Sequence, residues 1–208
     1  MYTKKIILAV IAMIFITGCK ERIADYYFAK AVECDSCKDY KCAIKNYSYA
    51  IKLEKKLDNK SRLYFFRGHS YYTIRKYESA LADFNTALSI DDKNVDAYFW
   101  RGQIYNLQQK FELAINDFNT IININDSRYD YYYWRASVYY RWGKYDFALA
   151  DYNLVIKLDS TCAGCYYVRG ETYQKINLPD SALADFEKAA YLGNEKAIKE
   201  LKKYEKER

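Results

Sequence analysis

Residues 95–128 read VDAYFWRGQIYNLQQKFELAINDFNTIININDSR, and residues 129–162 read YDYYYWRASVYYRWGKYDFALADYNLVIKLDSTC. Set one above the other, the two stretches share columns at a spacing of 34: Tyr98 with Tyr132, Arg101 with Arg135, Tyr105 with Tyr139, Ala114 with Ala148, Asp117 with Asp151. The same columns run back to Tyr64, Arg67, Tyr71, Ala80 and Asp83 and forward to Tyr166, Arg169, Tyr173, Ala182 and Asp185. A weaker copy precedes them. It carries Tyr27, Ala31, Ala43, Tyr47 and Ala50, has Cys34 where a tyrosine is expected, and is separated from the next copy by the extra residues Asp58 to Lys60.

Within one copy, Ala114, Ile115, Phe118, Ile121 and Ile122 fall at i, i+1, i+4, i+7 and i+8, which makes one apolar stripe on a helix. One proline and seven glycines in 208 residues, with 51% hydrophobic side chains, favour long helices over a turn-rich sandwich. A lone helical hairpin cannot bury such a stripe, so the copies must stack and each depends on its neighbours. Gly68 and Ala80 would let two helix backbones approach closely, with Tyr64, Tyr71 and Phe84 filling the space around the crossing. The Arg and Asp columns are expected to pair within each copy. Asp91-Asp92, Asn125-Asp126-Ser127, Asp159-Ser160-Thr161 and Gly193-Asn194 supply helix stops and caps, and Pro179, the one proline, suits the start of a helix. After the last copy, Ala197, Ile198 and Leu201 recur among charges, the pattern of a capping helix.

The period and the residues within it resemble the tetratricopeptide repeat. The resemblance implies an all-α, right-handed superhelical solenoid of five helix-turn-helix units (24–57, 61–94, 95–128, 129–162 and 163–196), closed by a C-terminal capping helix and basic tail over 195–208. The proline that family members often carry near the end of the second helix is missing from every unit. In this family the first helix of each hairpin lines a concave groove. Carried over by position, the groove would present Phe65, His69 and Tyr72, then Phe99, Gln103 and Asn106, then Tyr133, Ser137 and Tyr140, then Tyr167, Glu171 and Gln174, part of the row doubling as core. Aromatics beside varied polar groups are enriched at protein interfaces, so the expected ligand is a protein or peptide.

The N-terminus follows a different logic. Lys4 and Lys5 precede an apolar run from Ile6 to Ile16 and the small pair Thr17-Gly18, the layout of an export signal over 1–18. The run is too short to span a bilayer, which takes about 20 apolar residues. Ile16-Thr17-Gly18-Cys19 is similar to the lipobox of bacterial prolipoproteins. That resemblance implies acyl chains on Cys19, a lipidated tether over 19–23 and membrane association through the anchor. Lys20, standing where an inner-membrane retention signal would have Asp, points to the outer membrane, on its periplasmic or surface face. The expected role is therefore an adaptor at the cell envelope or a structural subunit of an outer-membrane assembly or secretion complex.

The formal charge of +6 is interleaved with Asp and Glu and forms no phosphate-binding stripe, so no nucleic-acid partner is expected. His69 is the single histidine and has no nucleophile at a recognisable spacing, and there is no Gly-rich phosphate loop; neither catalysis, a cofactor nor a metal is expected. Beyond Cys19 the cysteines form two clusters, Cys34, Cys37 and Cys42, and Cys162 and Cys165. About three hairpins separate them, too far for a shared zinc site. In an oxidising compartment, local disulfides are expected: one within Cys162–Cys165 and one among the first three, leaving a free thiol. A thiol oxidoreductase built on Cys162-Ala-Gly-Cys165 is the competing reading.

Overall fold

The structure, a computed structural model, describes residues 22–125 and 128–206; the export signal, Cys19 and the turn residues Asp126 and Ser127 lie outside them. Helices account for every regular element among the described residues. They are α1 (22–36), α2 (Tyr40–Leu53), α3 (Leu57–Thr73), α4 (Tyr77–Ile90), α5 (Val95–Leu107), α6 (Phe111–Ile124), α7 (Tyr129–Trp142), α8 (Tyr145–Leu158), α9 (Ala163–Lys175), α10 (Pro179–Tyr191) and α11 (Glu195–Lys206). Asp58 to Lys60 are wound into the first turn of α3 and form no spacer. The chain divides into two compact units, to Arg101 and from Gly102, the boundary falling inside α5.

Each hairpin turns on one left-handed residue. Lys38, Arg75, Gln109, Gly143 and Asn177 have φ of 61°, 60°, 58°, 79° and 59°. The amide after each reaches five residues back to close the preceding helix, as from Lys76 to the Tyr71 carbonyl (2.9 Å) and from Lys110 to that of Tyr105 (2.8 Å). Between hairpins the chain leaves the helix in extended backbone at Glu54, Asp91, Asn125 and Asp159. Asp91 and Asp159 then accept from the amides of Lys93 and Thr161, at 3.1 and 2.9 Å. Side-chain turns of this kind do the work that the absent prolines would do. Pro179 opens α10, where its missing donor leaves no bond unmade.

The stripe of α6 is buried as its spacing requires, with Ala114, Phe118 and Ile121 fully enclosed. At the crossing inside each hairpin a small residue faces a ring. A Cβ on Gly68 would stand 2.9 Å from Phe84, and one on Gly170 would stand 2.7 Å from Phe186 and 3.3 Å from the Ala182 carbonyl. Where alanine replaces glycine, the ring opposite is tyrosine: Ala31 packs with Tyr47, and Ala136 with Tyr152.

The arginine column binds the hairpins to one another. Arg67 makes a two-pronged bond to Asp83 (2.8 and 2.7 Å) across its own hairpin and a third, of 2.9 Å, to Ser48 on the preceding one. Arg135 repeats this with Asp151 (2.7 and 2.6 Å) and Asn119 (2.7 Å), and Arg169 with Asp185 (2.7 and 2.6 Å) and Asn153 (2.7 Å). Arg101 likewise reaches back to Asn85, at 2.7 Å. Tyr64 and Tyr71 are half-buried beside the helix crossing and also meet the arginine. Their rings lie 5.4 and 6.0 Å from the Arg67 guanidinium, enclosing the cation. In the first hairpin Lys30 and Asn46 stand at the positions of Arg67 and Asp83, and a Cys34–Cys42 disulfide ties α1 to α2 instead.

At the C-terminus, Ala197, Leu201 and Tyr204 of α11 cover Phe186 and Ala182. Ile198, expected in that contact, faces outward at 39% exposure, because the covering face follows an i, i+4, i+7 line from Ala197.

Gly170→Ala is expected to lower stability by about 1–3 kcal/mol, since the new methyl meets ring and carbonyl together. At Gly102 the nearest ring atom, on Phe118, is 3.3 Å from an added Cβ. There a shift of a few tenths of an ångström suffices, and Gly102→Ala should gain up to about 1 kcal/mol of helix propensity. Thermal unfolding of the two variants checks the opposite signs.

Candidate functional site

The first helices of the hairpins carry the candidate residues, and within each unit their side chains meet. In the first unit Phe65, His69 and Tyr72 descend one face of α3, each half-buried. Trp100 of α5 packs against the lower two, its ring centroid 4.8 Å from His69 and 4.8 Å from Tyr72, and Phe99 stands beside it at 5.2 Å. Phe65 also touches Phe84, at 6.1 Å, so this end of the row belongs partly to the core. Burial holds the His69 imidazole below its ordinary value, against an opposing pull from the charge of Asp35. Asp35 lies on the same side. It accepts from Tyr47 (2.8 Å) and from Ser70 (2.9 Å), joining α1, α2 and α3.

In the second unit Gln103 and Asn106 lie on α5. Asn106 is only 5% exposed, and both its backbone and side-chain oxygens accept from Arg141, at 2.9 and 2.8 Å. With both oxygens engaged and the side chain buried, it is a structural residue and not a contact surface. The Gln103 side-chain nitrogen is buried without a hydrogen-bond partner. Tyr133 packs on Tyr152 (6.0 Å) and Tyr140 on Tyr145 (5.8 Å), while Ser137 is half-buried between them along α7. On α9 the Tyr167 hydroxyl donates to Glu171, at 2.9 Å, and Gln174 donates to Tyr204 of α11, at 2.9 Å. Burial and then the charge of Glu171 raise the hydroxyls of Tyr133 and Tyr140 above their usual range, and Tyr167 is pushed up to about 12 by burial and its bond to Glu171. An open hollow of about 440 Å³ lies beside these residues, lined among others by Tyr133, Tyr167 and Glu171.

The tetratricopeptide repeat profile matches residues 95–128, 129–162 and 163–192, and a related TPR repeat profile matches 68–109, together more than half of the chain. The chain belongs to the tetratricopeptide repeat family. Among solved structures, a crystal structure of MamA aligns with a TM-score of 0.75 at 23% identity, covering 84% of this chain and 94% of that one. YrrB, described as a TPR protein with an unusual peptide-binding site, aligns with a TM-score of 0.72 at 21% identity, covering 85% and 90%. At these identities the likeness establishes the fold. No curated protein matches the chain in sequence.

Three residues of the TPR face went unread in the sequence. Trp100 has its signal in a column of its own, Phe66, Trp100 and Trp134, next to the groove aromatics. Asp35 occupies in the first hairpin the position of Tyr72, Asn106, Tyr140 and Gln174. Lys196 reaches the hollow only because α11 folds back over the last hairpin, and no periodicity within the TPR units reveals that. As for the cysteines, Cys162–Cys165 form a disulfide at the start of α9, with Cys165 only 1% exposed, and Cys37 is an exposed free thiol beside Cys34–Cys42. Among the described residues no three His, Cys, Asp or Glu side chains are grouped to hold a metal ion, and no helix is long and apolar enough to cross a membrane.

As the single histidine, His69 gives one imidazole signal to follow by NMR, and its midpoint is expected below 6.5. The sign of the linked effect follows: the unfolded chain takes the proton first, so the stability contribution is intact above about pH 6.5 and declines as the pH falls through it. A His69→Gln variant should lose that part of the acid sensitivity.

Proposed function

We propose that this chain is a non-enzymatic TPR scaffold of the bacterial cell envelope, lipid-anchored through Cys19, that holds a protein or peptide ligand on the first-helix face of its hairpins. The observation that carries the binding role is the half-exposed aromatic row on that face: His69, Tyr72 and Trp100 in one unit, Tyr133, Tyr140 and Tyr167 in the other. Such rings offer large contact area at a low cost in side-chain entropy, and the polar groups between them differ from hairpin to hairpin, as a sequence-reading surface requires. The peptide-binding description of YrrB agrees with this reading. Anchoring rests on the lipobox-like Ile16-Thr17-Gly18-Cys19 behind a short basic and apolar leader. Two or more acyl chains would give stable attachment, and Lys20 favours the outer membrane.

Two arms of one experiment on the full chain test the reading. Radiolabelled palmitate should enter the wild-type protein and not Cys19→Ser; equal labelling, or none in either, contradicts the anchor. Pull-downs from detergent-solubilised envelopes should recover a partner with wild type and lose it with a His69→Ala, Tyr140→Ala double variant whose circular dichroism is unchanged. Recovery of the same proteins by both would move binding off this face.

A further inference from the structure

The last hairpin carries a carboxylate that the fold leaves without a cation. Glu171 lies half-buried on α9, and among the described residues its one hydrogen bond is from the Tyr167 hydroxyl. No Lys, Arg or His among the described residues forms an ion pair with it. Three buried carboxylates behave differently: Asp83, Asp151 and Asp185 each hold a two-pronged arginine. A carboxylate has about four acceptor positions. Glu171 uses one of them, and it lines the hollow of about 440 Å³ together with Tyr133, Gly164, Tyr167, Val168 and Lys196.

The walls suit a cation as well as the charge does. Tyrosine faces attract guanidinium and ammonium groups within about 6 Å of the ring centroid. Tyr167 already does so: the Lys196 ammonium lies 5.9 Å from its ring. Charged groups lining the hollow are Glu171, Glu195 and Lys196, leaving it net negative.

We propose that this hollow is a subsite for a basic side chain of the bound peptide, arginine in preference to lysine, with Glu171 as counter-charge and Tyr133 and Tyr167 as stacking walls. The assignment rests on the peptide-binding reading above and names what one part of the ligand must carry. Arginine is favoured because its planar group can stack on a tyrosine while presenting two parallel N–H donors to one carboxylate, a geometry a lysine ammonium lacks.

Gly164 supplies a control that does not act through charge. A Cβ there would meet nothing within 4 Å, so Gly164→Leu adds apolar bulk to the lining at a position whose backbone accepts a side chain.

The test is calorimetric or NMR titration of the full chain with capped pentapeptides Ala-Ala-X-Ala-Ala, X being Arg, Lys, Gln or Glu. The arginine peptide is expected to bind about tenfold more tightly than the glutamine peptide, with lysine between them and glutamate weakest. Glu171→Gln should bring arginine and glutamine peptides to equal affinity, and Gly164→Leu should weaken the arginine peptide with the unfolding temperature maintained. Equal binding of the arginine and glutamine peptides, no binding of either, or an arginine preference that survives Glu171→Gln overturns the subsite. If the envelope pull-down still yields a partner that depends on the first-helix face, only the subsite falls; if that partner too is absent, the binding reading falls with it.

Discussion

In the hairpins after the first, one guanidinium ties each hairpin to the one before it. Arg67, Arg135 and Arg169 each bind an aspartate of their own second helix and a side chain of the preceding hairpin, so one residue closes a hairpin and docks it to its neighbour. Without Arg169, Asp185 would keep a charge at 5% exposure, an uncompensated cost of roughly 3–5 kcal/mol. Tyrosines account for the rest of the pattern: Tyr166 and Tyr173 stand 5.5 and 5.8 Å from that guanidinium and shield it from water. The first hairpin has no such arginine and joins its helices by Cys34–Cys42 instead. A covalent link thus stands at the end of the array where the electrostatic one is missing.

This arrangement separates stability from recognition on the same helices. Arg67 and its tyrosines lie on one side of α3; Phe65, His69 and Tyr72 lie on another. The repeated columns are fully engaged in the fold and therefore identical from unit to unit. The unrepeated positions, His69, Gln103, Ser137 and Glu171, are free to differ. Variation at fixed geometry is what a surface that reads several side chains of a ligand needs, and Glu171 is the position at which it leaves a charge unanswered.

The period of 34 made the hairpins, the stripe of α6 and the Arg–Asp pairing legible, because each depends on contacts within one repeat. Contacts between repeats were harder to read. The column Asn85, Asn119 and Asn153 has the same period as the arginines, yet its role appears only when consecutive hairpins are docked. For Tyr64 and Tyr71, helix spacing shows that they share a face, not that a cation lies between them. Ile198 and Tyr204 exchange roles because the covering face of α11 is set by the end of the array, which has no second copy to reveal it. At the candidate site, Asn106 fitted the groove pattern by position but is held by Arg141 of the next hairpin, a contact without a repeat.

On this reading the first-helix face, and not the second-helix face, meets the ligand. Its most direct test is photo-crosslinking in cells, with a benzophenone amino acid placed singly at Gln174 on α9 and at Phe147, 58% exposed on α8. The account predicts one partner crosslinked from Gln174 and none from Phe147. The same partner captured from Phe147 with nothing from Gln174 would contradict it.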